Sequence, residues 1–505
     1  MFTIFHGFHL VEAYHEWKKE HRSNKNPMGL KVLKLVIAVA VALFLWIAPS
    51  DLYGLPGLNP VQHRVLSIFA FAALMWLFDS VPAWTTSLLV VVLLLFCTSD
   101  SALWFFQTDY ATGSKFENLV SNTALLHCFA DPTIMLFIGG FIVAIAATKS
   151  GLDVKLAKVM LAPFGTKSET VLLGFLLVTA VFSMFISNTA TAAMMLTFLS
   201  PVLKALPADG KGKIGLALAI PVGANIGGIG TPIGTPPNAI ALKFLNDPAG
   251  MDLGIGFGQW MMVMVPFTLV MLFIAWIVLK KLFPFKQKTI HLEIESHHEG
   301  NWKDVLVYVT FIFTVGLWLT DSVTGVNANV VAMLPLGVLC MAGVITKRDL
   351  EQISWSILWM IAGAFAVGVA MRQSGLAECM IAAIPFNEWS PLLVIIGSGL
   401  LCYLMANFIS HTATAALFVP ILAIAGSSMS ENLAAFGGVS TLLIGVAICS
   451  SLAMVLPIST PPNALADATG FIKQKYMVTT GLILGLIGLL LGYLVLIFCG
   501  INGVF

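Results

Sequence analysis

An eight-residue block, Ile-Ser-x-Thr-Ala-Thr-Ala-Ala, occurs twice in this chain, at 186–193 and 409–416, each time inside a long apolar run. The variable residue is Asn188 in the first copy and His411 in the second. Polar residues in the middle of membrane-length apolar sequence are costly unless they line a site or a cavity. Two copies of one such block, 223 residues apart, imply one site assembled from two halves. Other landmarks keep the same spacing. Ser150-Gly151-Leu152 matches Ser374-Gly375-Leu376 at an offset of 224, and Thr235-Pro236-Pro237-Asn238-Ala239 matches Thr460-Pro461-Pro462-Asn463-Ala464 at 225. Ordered landmarks at near-constant offset are the signature of an internal repeat.

The solvent of most of this chain is lipid. It is 58% hydrophobic and 10% charged, and no charged stretch is long enough to house a large soluble domain. A net charge of +1 without a basic domain argues against nucleic acid as a partner. Seven scattered cysteines without CxxC or metal spacing read as small packing residues. The polar, mixed-charge beginning carries no cleavable-signal pattern, so none is expected.

The expected plan is an all-α polytopic membrane protein. A cytoplasmic segment, 1–34, whose charged stretch reads as helical, precedes a first span and loop, 35–64. A first repeat, 65–282, contains scaffold spans, a hairpin at 169–206 and a broken helix at 213–245. A cytoplasmic linker, 283–302, leads to a second repeat, 303–505, with a hairpin at 391–425 and a broken helix at 437–468. If each Ser-x-Thr segment enters and leaves by one face, 22 of the 26 basic residues fall on the cytoplasmic side. Only Arg64, Lys115, Lys243 and Arg372 then fall outside, which favours two re-entrant hairpins, about eleven spans and a C-terminus outside. The halves come out inverted, the architecture of secondary transporters with a midplane site.

No Asp, Glu, Lys or Arg lies within 170–203, 214–242, 389–430 or 432–466. What these segments offer is backbone and small polar groups. Ser, Asn and Thr are preferred N-caps, so a helix restarting at the alanines would expose free N–H groups. Thr235 or Thr460 could cap in the same way, with Pro236 or Pro461 at the first helical position. Four such N-termini converging would make an anion site without a formal cation. The neighbouring hydroxyls and carbonyls would suit Na⁺. A lone Ser-Asn-Thr is more often packing glue. The copy at Ser121-Asn122-Thr123, in an external acidic stretch at 99–131, has no apolar flanks or partner and reads as ordinary surface.

The paired hairpins, the paired Thr-Pro-Pro breaks and the eleven-span plan resemble the divalent-anion/sodium symporter family of di- and tricarboxylate carriers, over about residues 30–500. The resemblance implies an inverted-repeat elevator transporter in the plasma membrane, usually a homodimer, with a small carboxylate anion as substrate and no cofactor other than Na⁺. It implies substrate binding by Asn188, Thr189, Thr235, Pro236, His411, Thr412, Thr460 and Pro461, and a sodium site of Ser183, Ser187, Asn188 and Gly234. A second sodium site would fall on Ala406, Ile409, His411 and Ser459, a poorer oxygen cage. An imidazolium there would stand in for a sodium ion that cannot leave with the substrate, and obligatory anion exchange would follow. The expectation is therefore a dicarboxylate exchanger, with a sodium-coupled di-/tricarboxylate or sulfate symporter as the alternative. An anion channel suits paired, inverted binding blocks less well than alternating access does. An intramembrane hydrolase on Ser410 and His411 is disfavoured, because adjacent helical residues do not face one another and no GxSxG or HExxH is present.

Overall fold

A computed structural model describes residues 28–109, 113–207, 210–247, 250–290, 301–383 and 388–505. Most of the expected N-terminal helix and half of the linker, 291–300, lie outside them. Three helices open the chain, α1 (Met28–Ile47), α2 (Pro60–Phe78) and α3 (Ala83–Cys97). The first begins at Met28, seven residues before the expected span, because the Lys31 and Lys34 turns continue the helix. Then come α4 (Asn122–His127), α5 (Pro132–Lys149) and α6 (Leu152–Leu161). The first hairpin is α7 (Ser168–Phe185) and α8 (Asn188–Ala205), followed by the broken pair α9 (Gly212–Gly227) and α10 (Pro236–Leu245) and by α11 (Phe257–Leu282).

The second half runs α12 (Trp302–Leu319), α13 (Ala328–Met341), α14 (Trp355–Gln373) and α15 (Leu376–Ala383). Its hairpin is α16 (Pro391–Ala406) and α17 (His411–Ser428), its broken pair α18 (Gly438–Ser451) and α19 (Pro461–Ala468), and α20 (Gln474–Ile501) closes the chain. Among the described residues, 10 helices are long and apolar enough to cross a membrane, and shorter apolar helices supplement them. The doubled Ser-Gly-Leu has a local cause. Gly151 and Gly375 adopt φ of 62° and 75° and end α5 and α14, a left-handed turn that a side chain would strain.

Both ends of the first hairpin meet one short segment. Ser168 donates from its backbone N–H to Lys288 O (3.1 Å) and from its hydroxyl to Gln287 O (2.7 Å). At the far end, Leu206 and Pro207 line a cleft with Phe285, Lys286 and Gln287. The α7–α8 segment therefore turns back at its middle. In the second hairpin Tyr493 packs beside Gly399 of α16, and Gly426 of α17 packs on Val439, next to the turn that backs onto Leu496 and Gly500. Both arms lie against the last turns of α20. The first turns of α20 sit instead with the 283–285 end, through Phe283 against Tyr476 (5.5 Å). The two hairpins therefore open toward opposite faces.

The described parts of the 99–121 stretch, 99–109 and 113–121, dock on the protein. Arg64 donates to Cys97 O (3.3 Å) and Phe106 O (2.5 Å), and its guanidinium lies 4.8 Å from the Phe106 ring and 5.4 Å from Phe116. Ser121 caps α4, and its backbone N–H donates to Gln373 Oε1 (2.8 Å).

Candidate functional site

At the first hairpin's tip Ser187 is the N-cap of α8, accepting from Ala190 N (3.3 Å), and Asn188 is the first helical residue. The helix thus restarts at Asn188, earlier than the alanines. That places the Asn188 and Thr189 N–H groups in the first turn, where no intrahelical acceptor exists. The Ser183 hydroxyl reaches both Asn188 Oδ1 (2.5 Å) and Ala224 O (2.7 Å). A β-carbon on Gly228 would lie 2.7 Å from Asn188 Oδ1, 3.0 Å from its Nδ2 and 3.2 Å from Gly234 O, so glycine is what lets the Asn188 amide approach the broken helix. Ser183, Asn188 and Gly234 are brought together around an excess of oxygen acceptors. The Ser187 hydroxyl caps the helix, and the residue lines a recess with Phe137, Gly140, Phe141, Phe185 and Ile233.

The second tip repeats the backbone and changes the chemistry. Ser410 caps α17 through Ala413 N (3.1 Å), and His411 and Thr412, both 8% exposed, are its first two residues. The His411 Nε2 lies 2.8 Å from Ala453 O, so that nitrogen carries the proton and donates it. Ala453 corresponds to Gly228 at the repeat's offset of 225, so an Asn-on-Gly pair in one half is a His-on-Ala pair in the other. Of the remaining residues aligned with a second cation site, Ala406 and Ile409 bring no side-chain oxygen, and the Ser459 hydroxyl is spent on Leu456 O (2.6 Å).

The Thr-Pro-Pro breaks differ from the expectation. Prolines fill the first two positions of α10 and α19, so neither helix has an N–H there to offer an anion. Thr460 caps α19 through Asn463 N (3.1 Å), whereas the Thr235 side chain makes no cap bond and only its carbonyl accepts from Asn238 N. Of the four N-termini expected to converge, two carry donors in their first two positions. Pro236 is half-buried and Pro461 exposed, while Thr235 and Thr460 are buried.

Three asparagines hold the site together that the motifs did not single out for a role. Asn238 Nδ2 reaches Gly228 O (3.0 Å), Ile229 O (3.3 Å) and Thr231 O (2.8 Å). Its repeat partner Asn463 reaches Met454 O (2.8 Å) and Leu456 O (3.1 Å). Each ties its own break into a closed loop. Asn225, in the interior of α9, crosses between halves and donates to Thr460 Oγ1 (3.3 Å) and Asn463 Oδ1 (3.2 Å). A continuous path therefore runs from Asn188 through Ser183 and Ala224 to Asn225, Asn463 and Met454, one residue from the carbonyl that holds His411. The readable signal for Asn225 was a single amide in the small, apolar run LALAIPVGANIGGIG.

Opposed hairpins meeting two broken helices between two related halves define a class: a multi-span membrane transporter, not an enzyme. The chain belongs to the citrate transporter family, whose sequence profile matches residues 73–436. It is 30% identical over 452 residues to an uncharacterised transporter of Haemophilus influenzae, covering 85% of this chain and 90% of that one. It is 27% identical over 512 residues to the sodium-dependent dicarboxylate transporter SdcS of Staphylococcus saprophyticus, covering 94% and 93%. A sodium-dependent high-affinity dicarboxylate transporter of Caenorhabditis elegans is 29% identical over 416 residues, 71% and 72% of the two chains. In fold the chain is similar to the crystal structure of the YdaH transporter of Alcanivorax borkumensis (TM-score 0.54, 12% identity, 87% of this chain and 99% of that one).

Proposed function

We propose that this protein is a secondary carrier of di- or tricarboxylates of the succinate, malate, 2-oxoglutarate or citrate class, coupled to sodium. The observation that carries the coupling is the first tip. Ser183 has one hydrogen for two acceptors, and Asn188 Oδ1 and Gly234 O crowd the same spot beside Gly228. Neutral oxygens in surplus suit a small hard cation, and their lack of charge fits a site that must also empty. The sodium-dependent relatives support the same reading. The substrate carboxylates would bind the first-turn amides of α8 and α17, with Asn188, Thr189, His411 and Thr412, and with Thr235, Pro236, Thr460 and Pro461 shaping the walls. On this reading the two hairpins and broken helices move as an elevator against the remaining spans. The carrier works as a homodimer in the plasma membrane, N-terminus inside and C-terminus outside.

A second reading, strict anion exchange, is favoured by His411. Its Nε2–H occupies a carbonyl at the position where a second sodium would act. A side-chain cation, unlike sodium, stays behind on the empty carrier and opposes its return. One experiment separates the two readings: uptake of labelled succinate, 2-oxoglutarate, citrate and sulfate into proteoliposomes, with and without sodium and internal anion. Uptake that needs sodium but no internal anion is expected. Uptake that ignores sodium and requires preloaded anion replaces symport with exchange, and a preference for sulfate reassigns the substrate.

A further inference from the structure

The hydrogen bonds of the buried asparagines are orientation-locked. Asn238 and Asn463 must each present Nδ2 to backbone carbonyls, so each must point Oδ1 the other way. Asn463 Oδ1 is then satisfied from the opposite half by Asn225 Nδ2 (3.2 Å). Asn238 Oδ1, fully buried, has no donor among the described residues. At the repeat's offset of 225, the counterpart of Asn225 is Ser450, the last residue but one of α18. The helices obey the same relation: α9 packs on α19, and α18 packs on α10. Ser450 has only a hydroxyl where Asn225 has an amide, so its side chain stops one bond short. Ser450 Oγ is likewise buried without a partner, as is Ser451 Oγ beside it. The two-fold relation is thus broken at this position, and the Asn238 and Ser450 oxygens that correspond to the Asn463–Asn225 bond are both unpartnered among the described residues. A buried amide oxygen without a donor costs its full desolvation.

We propose that Asn238 Oδ1 and Ser450 Oγ, at the α10–α18 contact, are ligands of a second sodium site, separate from the cluster at Ser183, Asn188 and Gly234. An amide oxygen and a hydroxyl are hard neutral ligands, and the unpartnered oxygens include two amide oxygens that can only accept, Asn238 Oδ1 and Asn225 Oδ1. The two ligands come from different halves, so the ion links them as Asn225 does on the related side. This site rests on the sodium-coupled reading above and adds an ion to its stoichiometry.

The test is Ser450→Asn, which rebuilds the related contact and supplies Asn238 Oδ1 with a protein donor in place of the ion. Sodium-to-succinate coupling, read from reversal potentials in proteoliposomes, is expected to fall by one ion. The rise in melting temperature that sodium gives the substrate-free, purified protein over choline should shrink. Ser450→Ala, which removes one ligand and leaves the asparagine loops alone, should raise the sodium concentration for half-maximal uptake about tenfold. An unchanged coupling ratio and unchanged sodium-dependent melting in both variants overturns the site and leaves a bound water in its place. If the parent transports without sodium, this site and the symport reading fall together; if the parent needs sodium and the variants match it, only this site falls.

Discussion

Two residue pairs decide how far the two tips are equivalent, Asn188 on Gly228 and His411 on Ala453. A methyl at Gly228 would meet the Asn188 amide at 2.7 Å and 3.0 Å. Gly228→Ala should displace that amide at a cost of about 1–3 kcal/mol, and the apparent sodium affinity in uptake assays should drop by at least about tenfold. The second pair is read most cleanly by exchange of chemistry. His411→Asn alone leaves Ala453 O without its 2.8 Å donor and should cost roughly 1–3 kcal/mol in thermal unfolding. His411→Asn combined with Ala453→Gly recreates the first half's pairing. If the imidazole stands in for a cation, the double variant gains sodium dependence and net uptake into anion-free vesicles; no change in either assigns His411 to packing. The sequence made His411 conspicuous by its departure from the first copy. Nothing in it showed that residue 453 departs in step, because that pairing exists only across a turn of the fold.

At the scale of elements, the triplet at 121–123, 187–189 and 410–412 is a helix start in all three places. Ser121, Ser187 and Ser410 each cap the helix that follows, by accepting from the N–H three residues on. The hairpins and breaks were therefore legible, since caps, Pro-Pro and apolar flanks are local signals. The loss of donors at the Thr-Pro-Pro tips was also legible, since it needs only the second proline to be counted. The cross-half bond of Asn225 was not, because a lone amide in an apolar run carries no address. The asymmetry of the two threonines has a consequence. Thr460→Val removes a cap worth about 1 kcal/mol, while Thr235→Val removes none, and detergent-phase melting should separate them in that order. Asn238→Leu or Asn463→Leu strands the carbonyls that each amide ties together. Either should cost about 3 kcal/mol or more, read as lost folded yield and a lower melting temperature.

Across the whole molecule, the two faces are tied in different ways. On the face of residues 285–290, Asp349 Oδ2 gathers Lys149 Nζ and the Thr346 N–H and hydroxyl, each at 2.7 Å. Burial alone would raise the Asp349 pKa, but hydrogen bonds from Lys149 and Thr346 hold it below the ordinary carboxylate value. A depressed carboxylate stabilises the fold above its unfolded pKa of about 3.9 and loses that contribution as pH falls through the folded value. Asp349→Asn should lower stability near neutrality, where the carboxylate contributes in full, and flatten the further loss through that acid window, read by unfolding both proteins across pH. On the opposite face, Lys243 pairs with Asp131 at 2.7 Å and Arg372 pairs with Asp247. These bonds join the end of α10, which carries a broken helix of the site, to the start of α5 and the end of α14. Asp131 and Asp247 are buried, so each pair is shielded from solvent on its carboxylate side. On the proposed elevator reading the motion would part α10 from α5 and α14, so the pairs would hold the face of Lys243 and Arg372 shut. A ligand arriving at that face would then bind only the fraction of carriers already open. Lys243→Gln with Arg372→Gln removes about 1–2 kcal/mol of closure, which should tighten apparent affinity from that side about five- to thirty-fold. Affinity measured from the other side should weaken in the same variant, and equal changes on both sides would mean that the pairs brace the fold and do not gate it.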